Sequence, residues 1–480
     1  GVNWSGIRWS RKTAAPVLLA LIAATAGFAL IARRTIYAAE PSAAQETLDT
    51  YAGADISFKT AYDILARPID NSAHRQFYEF LKQHTNLGPD IDPGPADLRL
   101  VENLQPAPGP KPNIFIFVID SLRRDYVSAY NPKVDFTPRL GEFARGSIVL
   151  ENAFTRYGGT ALAEPAIWVG AMQLHKQYIQ PFYPMNNLQK LLETDGYHSY
   201  ISVDPILGTI LKPSASITGL DKDTKSWGDL DLIPTLKEVQ AKIDTRSDPE
   251  KPVFVYTQPQ NVHTLTLERS KIPGGRKAVS EHELRRMDAA LGEFFDFLRG
   301  KGLYDNSIII VTADHGECYG EFGRYGHSDY LFPEIVRIPL IVHLPQSLRE
   351  ASAWDVHQVA FNTDITPSLY YLLGHRPVVN KEMFGRPLFT RTQAEQSEYA
   401  QAQYLLASSY APVYAILSGN GQSLFIVDAV NSKNYFYNLG DDPEGVHNRV
   451  NTQLRNEYEG VVRRDLGMID RMYGWRPPQN

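Results

Sequence analysis

Asp120, Asp314 and His315 are the side chains whose types and setting could do chemistry together. Asp120 follows six consecutive apolar residues (114–119). Asp314-His315 ends a β-branched run in SIIIVTADHG, 307–316. Two hard carboxylate oxygens and one imidazole nitrogen make a donor set for a divalent cation, Zn²⁺ or Mn²⁺ first, with Ca²⁺ or Mg²⁺ as alternatives. Taken singly, each group also reads as an ordinary polar residue at the end of a strand. Only their meeting would make a metal site.

Short runs of Ile, Val and Phe without alternation read as strands buried on both faces. An acid at the C-terminal end of such a strand sits where open α/β sheets bind ligands. The spacing predicts strands over 113–120, 198–203, 252–257, 308–312 and 338–343. Between them it predicts helices over 136–145, 165–172, 188–196 (closed by a glycine, a normal C-cap) and 281–300, and after them a helix over 365–373. Strand, helix, strand at this interval means an α/β domain with a mostly parallel central sheet flanked by helices. After residue 398 the pattern loosens into β-like pieces over 413–417, 423–427 and 434–437, a small C-terminal antiparallel subdomain, and then a helical tail after 451.

Residues 13–32 carry no charge and are bracketed by Arg11-Lys12 and Arg33-Arg34. As a helix this stretch is about 30 Å long, enough to span a bilayer, so a transmembrane helix is expected within 1–39. The flanking charges balance too closely to orient it. Residues 40–112 read as a linker or stalk: an exposed piece over 40–50, helices over 60–66 and 72–84, and a proline-rich connector over 87–112. Residues 113–397 would be the catalytic domain and 398–480 the C-terminal subdomain and tail. The chain has 48 Lys plus Arg against 54 Asp plus Glu, a net charge of -6, and no long basic block. That composition argues against a nucleic-acid partner. A single cysteine, Cys318, excludes an intramolecular disulfide.

Four segments carry a resemblance: IDSLRRD at 119–125, VTADHGE at 311–317, YGHSDYLFPEIVRIPLIVHLP at 325–345, and NTDITPSLYYLLG at 362–374. In order and spacing they resemble the sulfatase / alkaline-phosphatase superfamily. The threonine setting is closest to its membrane-anchored lipoteichoic-acid synthase and phosphoethanolamine-transferase branch. The resemblance implies an alkaline-phosphatase-like fold and a divalent metal. It implies a nucleophile after the apolar segment that follows the first strand, which here is Thr160 in GGTALAEPAIWVG. On residue type alone Thr160 is an ordinary turn threonine with Thr155 close by. By the same resemblance His327, in YGHSD, would be a second-metal ligand or a contact to the transferred group, and His263, in QNVHT, the substrate-side histidine. Arg124 would tie its loop to Asp125, and His198, His343 and His375 would be structural.

The departures set the expected chemistry. The C-x-P-x-R motif of sulfatases proper is missing, Cys318 lies outside it, and Ser121 stands where a second Asp is usual. The reading is therefore a membrane-anchored, metal-dependent hydrolase or transferase of phosphate esters or phosphodiesters. Asp120, Thr160, Asp314 and His315 would bind the metal, and Thr160, His263 and His327 would be catalytic. Expected partners are the lipid bilayer, a phosphorylated or sulfated small molecule, glycan or lipid head group, and membrane-protein complex partners. The resemblance puts the catalytic domain on the periplasmic or extracellular side. Two alternatives stand beside this: a sulfuric ester hydrolase, and an inactive structural subunit, to which Glu164 points because it would repel a phosphate if turned inward.

Overall fold

The computed structural model describes residues 72–85, 94–174 and 179–476. The expected membrane helix at 13–32, linker at 40–50 and helix at 60–66 lie outside the described residues. Among the described residues, no helix is long and apolar enough to cross a membrane. Residues Phe77–Asn480 form one compact unit.

Its centre is a seven-stranded sheet. In chain order the strands are β1 (Asn113–Val118), β2 (Ile148–Val149), β3 (His198–Ser202), β4 (Ile217–Leu220), β5 (Val253–Thr257), β6 (Ser307–Thr312) and β7 (Leu340–His343). Across the sheet they run β2-β7-β6-β1-β5-β3-β4. β1 pairs in parallel with β5 and with β6, and β3 in parallel with β5 and β4. β7 runs antiparallel to β6 and to β2. All six residues of β1 and all six of β6 are buried. Burying each large apolar side chain is worth about 1.5–3 kcal/mol, which makes this pair the centre of the core. The helix Gly275–Gly300 covers one face: Phe294 meets Phe115 and Phe117 edge-on at 5.8 and 5.7 Å.

The helix expected at 165–172 instead runs Thr160–Val169, starting directly after Gly158-Gly159, with Pro165 inside it. From Ala161 to Val169 every residue is buried, so no apolar stripe marks its first turn in the sequence. Gly170 ends it at φ 71°, a left-handed cap.

Strands Gln403–Ala407, Val413–Ser418, Ser423–Asp428 and Lys433–Asn438 form a second, antiparallel sheet in chain order. The helix Thr452–Met472 packs on it, with Tyr458 stacked on Phe425 at 5.0 Å. The helix Ser72–Thr85 sets Phe77 and Leu81 in the core, and Thr85 Oγ1 hydrogen-bonds the Tyr414 hydroxyl at 2.6 Å. The described part of the proline-rich connector is irregular but stitched down: Leu98 O accepts from Asn187 Nδ2 at 2.6 Å, and the Ala107 N–H donates to Asp195 Oδ1 at 3.0 Å.

Candidate active site and metal centre

β1 and β6 lie side by side in parallel register, Val118 opposite Thr312. The residues that follow each strand therefore leave the sheet at the same edge. The Ile119 N–H still donates to Thr312 O at 2.9 Å, and beyond it the buried Asp120 faces the buried Asp314 and His315. One ligand atom from each of these three lies within 4.8 Å of the others.

Thr160, first residue of its helix, comes to the same point. Its Oγ1 lies 3.1 Å from Asp120 Oδ2, 2.7 Å from Asp314 Oδ2 and 3.1 Å from His315 Nε2. The turn before it is tight: a Cβ on Gly159 would stand 2.6 Å from Ser328 Oγ. His315 Nδ1 lies 2.9 Å from Gly316 O. Donation there leaves the Nε2 lone pair pointing at Thr160.

Three acceptors thus converge on one part-buried hydroxyl that owns one proton. An excess of lone pairs costs free energy unless a cation resolves it. The donor set of two carboxylates, an imidazole nitrogen and a hydroxyl therefore fits a divalent metal.

The electrostatics divide the two carboxyls. Burial works against ionising Asp120, but His263, His315 and His327 together hold it at about 2. Burial, and then the charge of Asp120, push Asp314 well above the usual carboxylate range, a shift that a cation held between the two carboxyls would reverse. Burial, reinforced by His327, takes His315 down to about 4, which keeps it a neutral ligand.

His327 stacks on His315 with ring centroids 4.3 Å apart, and its Nδ1 lies 2.9 Å from Glu317 Oε2. Burial alone would lower its pKa, yet the bond to Glu317 raises it. Glu317, buried, is correspondingly lowered by that bond and by one from the Thr264 hydroxyl. His263 lies 5.3 Å from His327, with Trp227 against its other side at 5.6 Å. The structure therefore gathers Asp120, Thr160, Asp314, His315, His327 and His263 at one edge of the sheet. His198 bonds Thr218 Oγ1, His375 bonds Asp195, and His343 packs between Phe143 and Tyr304, all elsewhere.

Several contributors were not legible beforehand. Gln258 Nε2 donates to Asp314 Oδ2 at 3.1 Å and Gln260 Nε2 to Asp120 Oδ2 at 3.0 Å, both from the buried turn after β5. Only their place directly after a central strand could have marked them. Ser121, at the position of the missing second Asp, has φ 62° and donates its hydroxyl to Asp120 Oδ1 at 2.8 Å. The tie to Asp125 is made by Arg123, at 2.9 and 2.7 Å, and not by Arg124, which bonds Glu151 O. Arg123 is the buried member of the pair, so it is the one that reaches back under the loop. Glu164 is fully buried, and burial together with Asp204 pushes its carboxyl well above the usual range. That shift favours the neutral acid.

Three comparisons bear on this arrangement. The family model described as Sulfatase matches residues 112–375. Lipoteichoic acid synthase 2 of Bacillus subtilis (strain 168) is 27% identical over 143 residues, which is 28% of this chain and 20% of that protein. Choline-sulfatase of Rhizobium meliloti (strain 1021) is 28% identical over 142 residues, 29% of this chain and 27% of that protein. The chain therefore matches about a quarter or less of each of these relatives' length. The phosphonate monoester hydrolase of Agrobacterium radiobacter shares the fold at TM-score 0.55 and 14% identity, over 76% of this chain and 96% of that one. A protein in the alkaline phosphatase superfamily from Vibrio parahaemolyticus does so at TM-score 0.54 and 18% identity, over 86% and 98%. With more than half of its residues inside the family model, the chain belongs to the sulfatase family.

Proposed function

We propose that the protein is a hydrolase or transferase of phosphate esters or phosphodiesters in which Thr160 is the nucleophile. The observation that carries this reading is the convergence of Asp120, Asp314 and His315 on Thr160 Oγ1, at 3.1, 2.7 and 3.1 Å. Asp120, Asp314, His315 and Thr160 would hold a divalent cation, which when bound supplies the charge that lowers the hydroxyl pKa and offsets the charge of the transferred group.

The protein's own residues account for the rest. Asp314 Oδ2, the nearest acceptor at 2.7 Å, would take the Thr160 proton as the Thr160 oxygen–phosphorus bond forms and the bond to the departing alcohol breaks. Gln258 and Gln260 fix the carboxylates that surround it. The bond to Glu317 favours protonated His327, whose Nε2–H would serve the departing alcohol oxygen. His263, beside it, borders the place where the alcohol enters or leaves. The positive end of the Thr160–Val169 helix dipole lies at Thr160, where it favours an anion.

Phosphorus rather than sulfur is chosen because Thr160 stands where sulfatases proper need the modified cysteine, and Cys318 is fully buried. The relatives include both a lipoteichoic acid synthase and a choline-sulfatase, so the choice has to be tested directly. Membrane anchoring through residues 13–32, with this unit outside the cytoplasm, is part of the same proposal. The test is a panel of nitrophenyl phosphate mono- and diesters against nitrophenyl sulfate, with mass spectrometry of the Thr160 peptide after a quench. Turnover of phosphodiesters with phosphorylated Thr160 is expected. Turnover confined to sulfate esters contradicts the proposal.

A further inference from the structure

Arg156 lies four residues before Thr160 and is 3% exposed. Its guanidinium stacks on Phe361 at 4.1 Å and on Tyr404 at 5.0 Å, and it donates one hydrogen bond, from Nη1 to Leu405 O at 3.0 Å. Among the described residues it has no ion pair. Burying an unpaired guanidinium is costly, and burial accordingly lowers its pKa.

The neighbouring carboxylates are already engaged. Asp364 accepts the backbone N–H groups of Phe361 at 2.8 Å and Arg386 at 3.0 Å, and Asp465 is paired with Arg464 at 2.8 Å. Arg386 adds a second buried guanidinium, 3.9 Å from Asp364, whose Nη2 meets no acceptor. Arg156, Lys381 and Arg464 line a cavity of about 390 Å³ whose acids are Glu382 and Asp465. Positive charge is therefore in excess by one around a space that opens beside the edge strand Gln403–Ala407.

We propose that this cavity is a binding site for a tetrahedral oxyanion, phosphate or sulfate, held by the Arg156 guanidinium. It is separate from the Thr160 centre and does not depend on the reaction assigned there. It is nevertheless tied to that centre through the backbone: Arg156 O accepts from the Ala407 N–H at 2.9 Å, and Ser409 Oγ donates to Gly159 O at 2.7 Å. A bound anion would therefore brace the turn that presents Thr160.

The test uses the full chain carrying Asp314→Ala, so that loss of the metal centre cannot be mistaken for loss of this site. Inorganic phosphate, and in parallel inorganic sulfate, is titrated by calorimetry. Binding of at least one of the two ions is expected, weakened about tenfold or more by adding Arg156→Met. Affinity unchanged by Arg156→Met, or no binding of either ion to the Asp314→Ala protein, overturns the proposal. Should the double variant fail to fold, a tungstate soak of wild-type crystals decides. Density within hydrogen-bond reach of Arg156 supports the site, and its absence there overturns it.

Discussion

Thr160 Oγ1 lies 2.7 Å from Asp314 Oδ2, although 154 residues separate them in the chain. Neither segment encodes the other. The contact exists because β1 and β6 are parallel neighbours and because a helix starts at Thr160 directly above their ends.

Thr160→Ala should lower turnover of a phosphodiester by about 10³-fold or more, since the attacking atom is gone. Thr160→Ser keeps the hydroxyl and should retain measurable activity together with phosphorylation of the substituted residue. Steady-state kinetics and peptide mass spectrometry check both. Equal activity in the alanine variant would remove Thr160 from the chemistry.

Gln258→Leu and Gln260→Leu should each weaken metal binding about 10–100-fold while the fold persists. Each loses one N–H donor to a carboxylate of the candidate metal set. Calorimetric metal titration reads the effect, and circular dichroism controls for folding.

His327 carries a pH signature. Burial works to lower its pKa, but the bond and charge of Glu317, with the charges of Asp120 and Asp314, together raise it above 6.5. A step that needs protonated His327 is therefore at full strength below that value and declines only as pH rises through the higher folded value. Glu317→Gln removes the largest contributions to the rise, so the alkaline limb of the kcat/KM profile should move to lower pH. Glu317 itself is lowered from 4.5, so its contribution to stability is present above 4.5 and fades as pH falls below it. An unmoved alkaline limb in the Gln variant would assign that limb to another group.

Glu164→Gln tests the buried acid in the Thr160 helix. Its folded pKa is raised well above 4.5, burial first. The stability tied to its protonated form is complete below 4.5 and is lost as pH rises toward the folded value. The glutamine variant should therefore lose less thermal stability than the parent between mildly acid and mildly alkaline pH. Thermal unfolding across that range measures it.

How far the site could be read from the sequence follows from the physics of each piece. The strands bearing Asp120 and Asp314-His315 were plain, because six apolar residues broken by an acid have few other uses. The direction of β7 was not, since an apolar strand looks the same run either way. Helix Thr160–Val169 hid its first turn because it is buried all round. Gln258 and Gln260 were invisible for a different reason: neutral amides after a strand look like turn residues until the carboxylates they hold are seen. Arg123 and Arg124 are adjacent and identical in type, and only burial separates the one that braces the loop.

The most direct test is metal content and phosphodiester turnover of the purified protein beside its Asp314→Ala variant. The expected result is one tightly held divalent ion in the wild type, lost with turnover in the variant, while circular dichroism shows the fold retained. Wild-type activity without bound metal, or a variant that keeps both metal and turnover, would contradict the convergence of Asp120, Asp314 and His315 on Thr160 as the catalytic centre.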